Sequence, residues 1–443
     1  MDTSMNNTTP KTKGKLGRMV LITVLTLVFL AGAAFLYYLL CMNPTRGTVQ
    51  NFRPTSQLGQ VLTKQQAEQD LAYLVRHIRN RHPAWVDGSH EKTQAVMAQY
   101  KAERDALTDE TTALALWQAA GRIAAKLGDG HTNVWTKTEG ENLTINDLTQ
   151  VAQYGAPVAV NGVPTDELYE VFLTQFPYEV KAYAKSSFER LLVRQQYLAF
   201  CGADVSDGVT FTFDTGTGLS DYHYTFVPAS EAKGNETPQE DEWVYYSIDK
   251  EQDAAVFTLT ECVCNDEYLN TLDAFFNEVH ENGITNVIVD LRGNGGGNSW
   301  VANEFLRYID VDCYESWDCD VRMGWYVAKN RNISYENKRH NRVFDGSLYV
   351  LTDLHSYSAA MDFAMLVADN DLGTLVGEAS GNLPSSYGDC LYFQTPNAGL
   401  VVGVSFKKWY RVDKSKNGEP LTPDYECPPE QALQKAYELI AAT

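Results

Sequence analysis

Val287-Ile-Val-Asp290-Leu-Arg292-Gly293-Asn-Gly295-Gly296-Gly297-Asn-Ser-Trp-Val301-Ala-Asn-Glu-Phe305-Leu306 is the stretch from which the fold of this chain is read. The apolar run Val287–Val289 has strand character. Four glycines (Gly293, Gly295, Gly296, Gly297) follow it, and Val301, Phe305 and Leu306 then recur at helical spacing. A glycine-rich turn at a helix N-terminus leaves backbone N–H groups free and lets a ligand come close to them. Such a turn suits a negative charge, either a phosphate or the oxyanion of a breaking amide.

A second strand–turn–helix lies downstream, from Leu348 through Ser358-Ala-Ala to Phe363, Leu366 and Val367. Ser358 stands where turn becomes helix, a position in which the N–H of Ala359 can face a developing oxyanion. Serine is also among the best N-cap residues, so a capping role competes with a nucleophilic one. Upstream, Gly128-Asp129-Gly130-His131-Thr132 projects an imidazole from a tight turn. A general base needs such a positioned group with a pKa near neutrality, although a single histidine is as readily structural. Asp129 and His355 read as structural.

Working outward, Met19–Met42 is an uncharged apolar stretch of 24 residues. At the helical rise it spans roughly 36 Å, enough to cross a hydrocarbon core. Lys11, Lys13, Lys15 and Arg18 precede it, so the positive-inside rule puts residues 1–18 in the cytoplasm and 43–443 outside the cell membrane. The stretch is long for a cleaved signal peptide and has no clear small-x-small cleavage site, which favours an uncleaved, single-pass signal-anchor. The first 42 residues carry four basic and one acidic side chain, so the remainder holds about −24 of a net −21. That acidity argues against nucleic acid and anionic membrane surfaces as partners. The eight cysteines show no zinc spacing; a Cys313–Cys319 disulfide and unpaired thiols are both open.

The rest divides by pattern. Residues 43–62 form a polar stalk. Residues 63–140 are a helical subdomain opened by the capping box Thr63-Lys-Gln-Gln66, with a second helix starting at Thr111 or Thr112. Residues 141–242 are a small α+β insert with an acidic linker: an Asn161-Gly162 hairpin, a helix capped by Thr165, an aromatic-rich helical stretch at about 180–200, and a ribbon of 209–213 with 222–226. From 243 to 443 strands (244–248, 255–260, 285–290, 347–352, 372–377, 399–405) alternate with helices (266–282, 299–309, 358–369), which defines an α/β domain.

Taken together and in order, Gly128-Asp-Gly-His131-Thr132, Asp290-Leu-Arg-Gly-Asn-Gly-Gly-Gly297, Ser358-Ala-Ala, Val376-Gly377-Glu378 and the closing Pro423-Asp424 resemble the tail-specific (C-terminal processing) and tricorn-core serine peptidases. The resemblance covers about 244–427 and the 63–135 lead-in. It implies a ClpP/crotonase-like α/β core and an acyl-enzyme serine endopeptidase acting on peptides or unfolded proteins, with neither cofactor nor metal. Gly155-Ala-Pro-Val-Ala-Val-Asn-Gly-Val-Pro is similar to part of a peptide-binding PDZ module. The family's tail-specific members use a lysine roughly 25 residues after the serine; here Asn382, Leu383 and Pro384 stand there, and no lysine occurs between Ser358 and Lys407. The tricorn-like variant takes a histidine from the Gly-His turn instead. The resemblance then implies Ser358 as nucleophile, His131 as base, Glu419 as its partner, and Gly295 or Gly296 with Ala359 as oxyanion donors. Tyr357, just before the serine, is open to two readings, as substrate-binding wall of the specificity pocket or as packing. The serine that orients the histidine in the tricorn peptidase is Gly130 here.

Two other readings compete. A dinucleotide site is disfavoured because the third glycine falls one position early, Arg292 replaces an apolar residue, and no Lys-Ser/Thr completes a P-loop. A catalytically inactive peptide- or ligand-binding protein on the same fold is the stronger rival, since the lysine is missing and Met361 stands where relatives often carry glutamate.

Overall fold

A computed structural model describes residues 13–234 and 242–442. Residues 1–12 of the expected cytoplasmic tail and 235–241 of the expected acidic linker lie outside the described residues. The chain opens with helix Lys13–Tyr37, and Gly17–Met42 is long and apolar enough to be a membrane span or signal sequence, with none of it buried against the protein.

The core is a six-stranded sheet in the order Val244–Asp249, Ala254–Leu259, Asn286–Asp290, Ser347–Thr352, Thr374–Gly377, Tyr425–Glu426. Its first pair is antiparallel and the rest are parallel. Strands buried on both faces read as continuous apolar runs, which explains Val287–Val289 and Leu348–Leu351. Helices Asp266–Asn282, Trp300–Leu306 and Ala359–Asp369 cover one face with Phe257, Phe275, Phe305 and Phe363 in their core. Helix Ala432–Ala441 covers the other through Ala432 and Ala436. Asn265 caps Asp266–Asn282 by accepting from the Tyr268 N–H, and Gly283 ends it in the left-handed region.

The capping box forms as read: Thr63 accepts from the Gln66 N–H, and the Gln66 side chain accepts from the Thr63 N–H. Helices Lys64–Arg81 and Ala113–Ala125 do not close a core of their own. They pack on a second sheet, where Tyr387–Gln394 and Val401–Tyr410 contribute Leu391, Phe393, Val402 and Val404 to one shared cluster. Strand 399–405 therefore runs on to Tyr410, because Lys407–Tyr410 pair with Asp318–Val321. The insert is a four-stranded antiparallel sheet with helices Thr165–Gln175, Lys181–Leu191 and Gln195–Phe200. Its Asn161-Gly162 turn has φ of 49° and 77°, the twist a two-residue hairpin needs. Thr165 does not cap its helix but is its first residue, and its hydroxyl donates to the Pro157 carbonyl. All eight cysteines are free, so the Cys313–Cys319 disulfide is not formed: Cys313 is exposed and Cys319 is buried.

Candidate active site

The two strand–turn–helix units are stitched side by side. The Leu291 N–H donates to the Leu351 carbonyl, the Gly293 N–H to Asp353 and the Tyr357 N–H to the Asn294 carbonyl, while the Ser356 hydroxyl donates to the Leu291 carbonyl. Arg292 pins the first turn with two bonds to Asp290 and one to the Pro429 carbonyl, so its charge is spent on scaffolding. Gly296 (φ 96°) then lies directly against the second turn; a Cβ there would sit 2.6 Å from the Tyr357 oxygen and 2.7 Å from the Ser358 Cβ.

Ser358 has φ 54° and ψ −121°, a conformation that a side-chain-bearing residue holds only under constraint. It makes no capping hydrogen bond, which removes the bland reading of the sequence. Its own N–H donates to the Asn382 side-chain oxygen at 2.8 Å. Asn382 thus occupies the region of the missing lysine and braces the serine's backbone. Ala359 begins the helix, so its N–H is one of the orphan donors of a helix N-terminus. Among the expected oxyanion donors, the Gly296 N–H already bonds the Asn294 side-chain oxygen at 2.8 Å. The N–H groups of Gly295 and Ala359 have no protein acceptor among the described residues and remain for a ligand.

His131 and Ser358 line one cavity of about 700 Å³, with Tyr357, Gly295, Asp362 and Asp389. Both ring nitrogens of His131 are buried without a partner, so no Ser358–His131 hydrogen bond is formed. Burial holds the His131 pKa below its ordinary value against the opposing pull of Asp129 and Asp389, which keeps the imidazole neutral and able to accept a proton. Its Nδ1 lies 3.9 Å from Asp129. Asp129 is itself fully buried. Burial would raise its pKa, but the hydrogen bond from His82, with that from Thr132, outweighs this and keeps it ionised. It accepts from His82 Nε2 at 2.9 Å, from the Ser405 hydroxyl at 2.8 Å and from the His131 N–H at 3.0 Å. The Ala84 N–H occupies His82 Nδ1, which fixes the tautomer. The carboxylate beside His131 is therefore Asp129, from its own turn. Glu419 is exposed in the turn after Lys414–Lys416 and is absent from the cavity wall, so the structure does not bring it to His131.

Sequence reasoning missed Glu179, which lies between two helices of the insert. Its carboxyl accepts from the Gly130 N–H at 3.4 Å and the Leu383 N–H at 2.9 Å, latching the histidine turn to the loop that braces Ser358. Burial, then the charge of Asp129, push its pKa up to about 8. Asp129, His131 and Glu179 offer donor atoms within 4.8 Å of one another, the spacing of a cation site. Asp129 is saturated by hydrogen bonds, so the set reads as a proton network. The folded chain holds a proton on Glu179 that the unfolded chain releases near the ordinary glutamate value. The contribution of Glu179 to stability is accordingly fullest below the ordinary glutamate value and falls as pH rises toward about 8. Chemical unfolding at about pH 5 and about pH 8.5 checks this: Glu179→Gln flattens the fall relative to the wild type.

Tyr357 is buried against His131 (ring centroids 5.0 Å) and Tyr183 (4.8 Å), so it is both cavity wall and packing for the base. Its hydroxyl fills the space a side chain at Gly130 would need. This accounts for glycine where the tricorn peptidase carries serine. Gly130→Ser is expected to cost about 1–3 kcal/mol by overpacking, and adding Tyr357→Phe to recover most of it in thermal unfolding. His355 bonds the Ser186 hydroxyl of the insert and takes no part in the cavity. Asp362, raised to about 7 by burial and then by Asp389, makes only a long bond from the Ser299 hydroxyl.

A constrained serine with two free N–H groups and a neutral imidazole across one cavity defines a serine hydrolase. Residues 255–427 match the model of peptidase family S41, and the protein is a serine peptidase. The match includes Ser358 and the glycine turn and stops short of His131. The fold is shared with mature CPAF complexed with lactacystin, at 12% identity and TM-score 0.59 over 86% of this chain and 97% of that one. It is also similar to a putative peptidase from Parabacteroides merdae, at 15% identity and TM-score 0.50 over 84% and 96%. At these identities the likeness is one of fold.

Proposed function

We propose that the chain is a membrane-anchored, extracytoplasmic serine endopeptidase that cuts peptide or unfolded protein substrates through an acyl-enzyme on Ser358. The observation that supports it most is the cavity that holds Ser358 and an unpartnered, neutral His131 together. As substrate enters, His131 takes the Ser358 proton while Oγ attacks the carbonyl. The resulting imidazolium is stabilised by ionised Asp129. The N–H groups of Gly295 and Ala359 receive the oxyanion, an effect worth about 3–4 kcal/mol per donor. His131 then gives its proton to the leaving amine, and water reverses the sequence on the acyl-enzyme. The apolar Gly17–Met42 helix, preceded by basic residues, supports an anchor with the catalytic domain outside the cell. The test is labelling of the full chain with a fluorophosphonate. Wild type is expected to label at Ser358 and Ser358→Ala not at all; a folded wild type that stays unlabelled would sink the reading.

A further inference from the structure

Where the apolar helix meets the folded part of the chain there is a second cavity, of about 730 Å³. The helix end rests on the turn after strand Asp318–Met323: Trp325 Nε1 donates to the Tyr37 hydroxyl at 2.7 Å, and the Cys41 carbonyl packs on Gly324. Four arginines line the cavity: Arg46 just past the helix, Arg76 and Arg81 from helix Lys64–Arg81, and Arg322 from the strand. Arg322 is buried and Arg81 half-buried, while Arg46 and Arg76 are exposed. The chain carries a net charge of −21, and Arg122, Arg292 and Arg411 find carboxylates in Glu103, Asp290 and Asp369. None of these four has a carboxylate partner among the described residues, and no acidic side chain lines the cavity. Arg46, Arg81 and Arg322 spend some donors on backbone carbonyls, which leaves their charge uncompensated. Burial and then Arg81 lower the Arg322 pKa to about 10.

A second observation points to a ligand independently of charge. His77 lines the same cavity with a side chain only 8% exposed, and its Nδ1 has no hydrogen-bond partner. Its ring is clamped between Tyr73 (4.2 Å) and Phe393 (4.0 Å). Burial, then Arg81 and Arg76, keep it neutral. Several cationic forks around an acid-free space, with a neutral histidine in the wall, are the chemistry of a phosphate ester site.

We propose that this cavity binds the phosphate headgroup of an anionic phospholipid, drawn from the leaflet in which the Met42 end of the apolar helix lies. The proposal rests on reading Gly17–Met42 as a membrane span, which places the four arginines and the exposed Trp325 at the depth of the headgroups. Free phosphate shares the chemistry but not the acyl chains.

The test is native mass spectrometry of the full chain released from detergent, with added phosphatidylglycerol, phosphatidylcholine or inorganic phosphate. Phosphatidylglycerol adducts are expected to dominate. Arg76→Gln and Arg322→Gln should each weaken them about fivefold, and Arg104→Gln, at an exposed ion pair far from the cavity in sequence, should leave them unchanged. Arg76 makes no hydrogen bond within the protein among the described residues, so its loss threatens folding least. Equal adducts with both lipids, or no effect of either substitution, would overturn the proposal; so would displacement of phosphatidylglycerol by equimolar inorganic phosphate, which would identify a free anion as the ligand. Alkaline carbonate extraction from vesicles of the same two lipids separates the two failures. Release of the chain defeats the span reading and the proposal with it, whereas retention without lipid preference defeats the headgroup site alone.

Discussion

Ser358→Ala should lower turnover of an unstructured peptide by about 10⁴-fold or more, His131→Ala by a comparable factor, and the double variant by no more than the worse single. The shared loss follows from chemistry. Without the imidazole, Ser358 keeps its proton and is a weak nucleophile. Without the hydroxyl, a perfectly placed base has nothing to deprotonate. What survives in every variant is the binding cavity and the free N–H groups of Gly295 and Ala359, and these act on the carbonyl whichever partner is missing. Stability should barely move with Ser358→Ala. No hydrogen bond to the Ser358 hydroxyl is found among the described residues, and alanine inherits the same backbone. Steady-state rates of the three variants, with a thermal melt of each, decide it. Losses that multiply would mean that the two groups work in separate steps, and the shared role would be wrong.

How much of this was visible in the chain depends on the range of the interaction that carries each feature. The turn after Asp290 and the turn at Ser358 are local patterns, an apolar run broken by glycine or serine and resumed at helical spacing, and both were readable. So was helix Asp266–Asn282, whose amphipathic face lies within its own residues and whose cap and terminal glycine directly flank them. Helix His90–Ala106 was not found, since Ser89 makes no capping bond and only Val96 and Glu103 of its residues are buried. Strands Cys313–Glu315, Asp318–Met323 and Tyr387–Gln394 escaped because a strand's partner, not its sequence, gives it a place: Tyr387–Gln394 exists by pairing with Val401–Lys408.

The site divides on the same line. Ser358 and His131 sit in turns that announce themselves. Glu179 sits in a polar-aromatic stretch with no motif, and it acts across 49 positions to Gly130 and 204 to Leu383. Glu419 was chosen for its place before Pro423-Asp424, yet sequence position carries no direction, and the loop turns it to solvent. Asp129, within the histidine turn and passed over as structural, became the buried anion because His82 and Ser405 converge on it from 47 and 276 positions away.

Gly296→Ala is expected to damage stability and catalysis together. The added Cβ would stand 2.6 Å from the Tyr357 oxygen, 2.7 Å from the Ser358 Cβ and 2.8 Å from the Ala359 nitrogen. All three are backbone or anchored atoms, so no side chain can swing aside. The φ of 96° adds strain of its own for any residue with a Cβ. Together these should cost about 3 kcal/mol or more of stability. The functional loss should be larger than stability explains, because the clash is relieved only by moving the Ser358–Ala359 peptide. That peptide carries the nucleophile and one oxyanion donor at once. Displacing it by about 1 Å should lower kcat by about 10³-fold even in the fraction that stays folded. Gly295→Ala is the control for backbone freedom: no atom lies within 4 Å of its built Cβ, its φ is unexceptional, and its thermal midpoint should match the wild type. If Gly296→Ala melts with the wild type and labels with a fluorophosphonate at the same rate, the two turns are not pressed together as described, and the donor–nucleophile geometry argued from their contact fails with it.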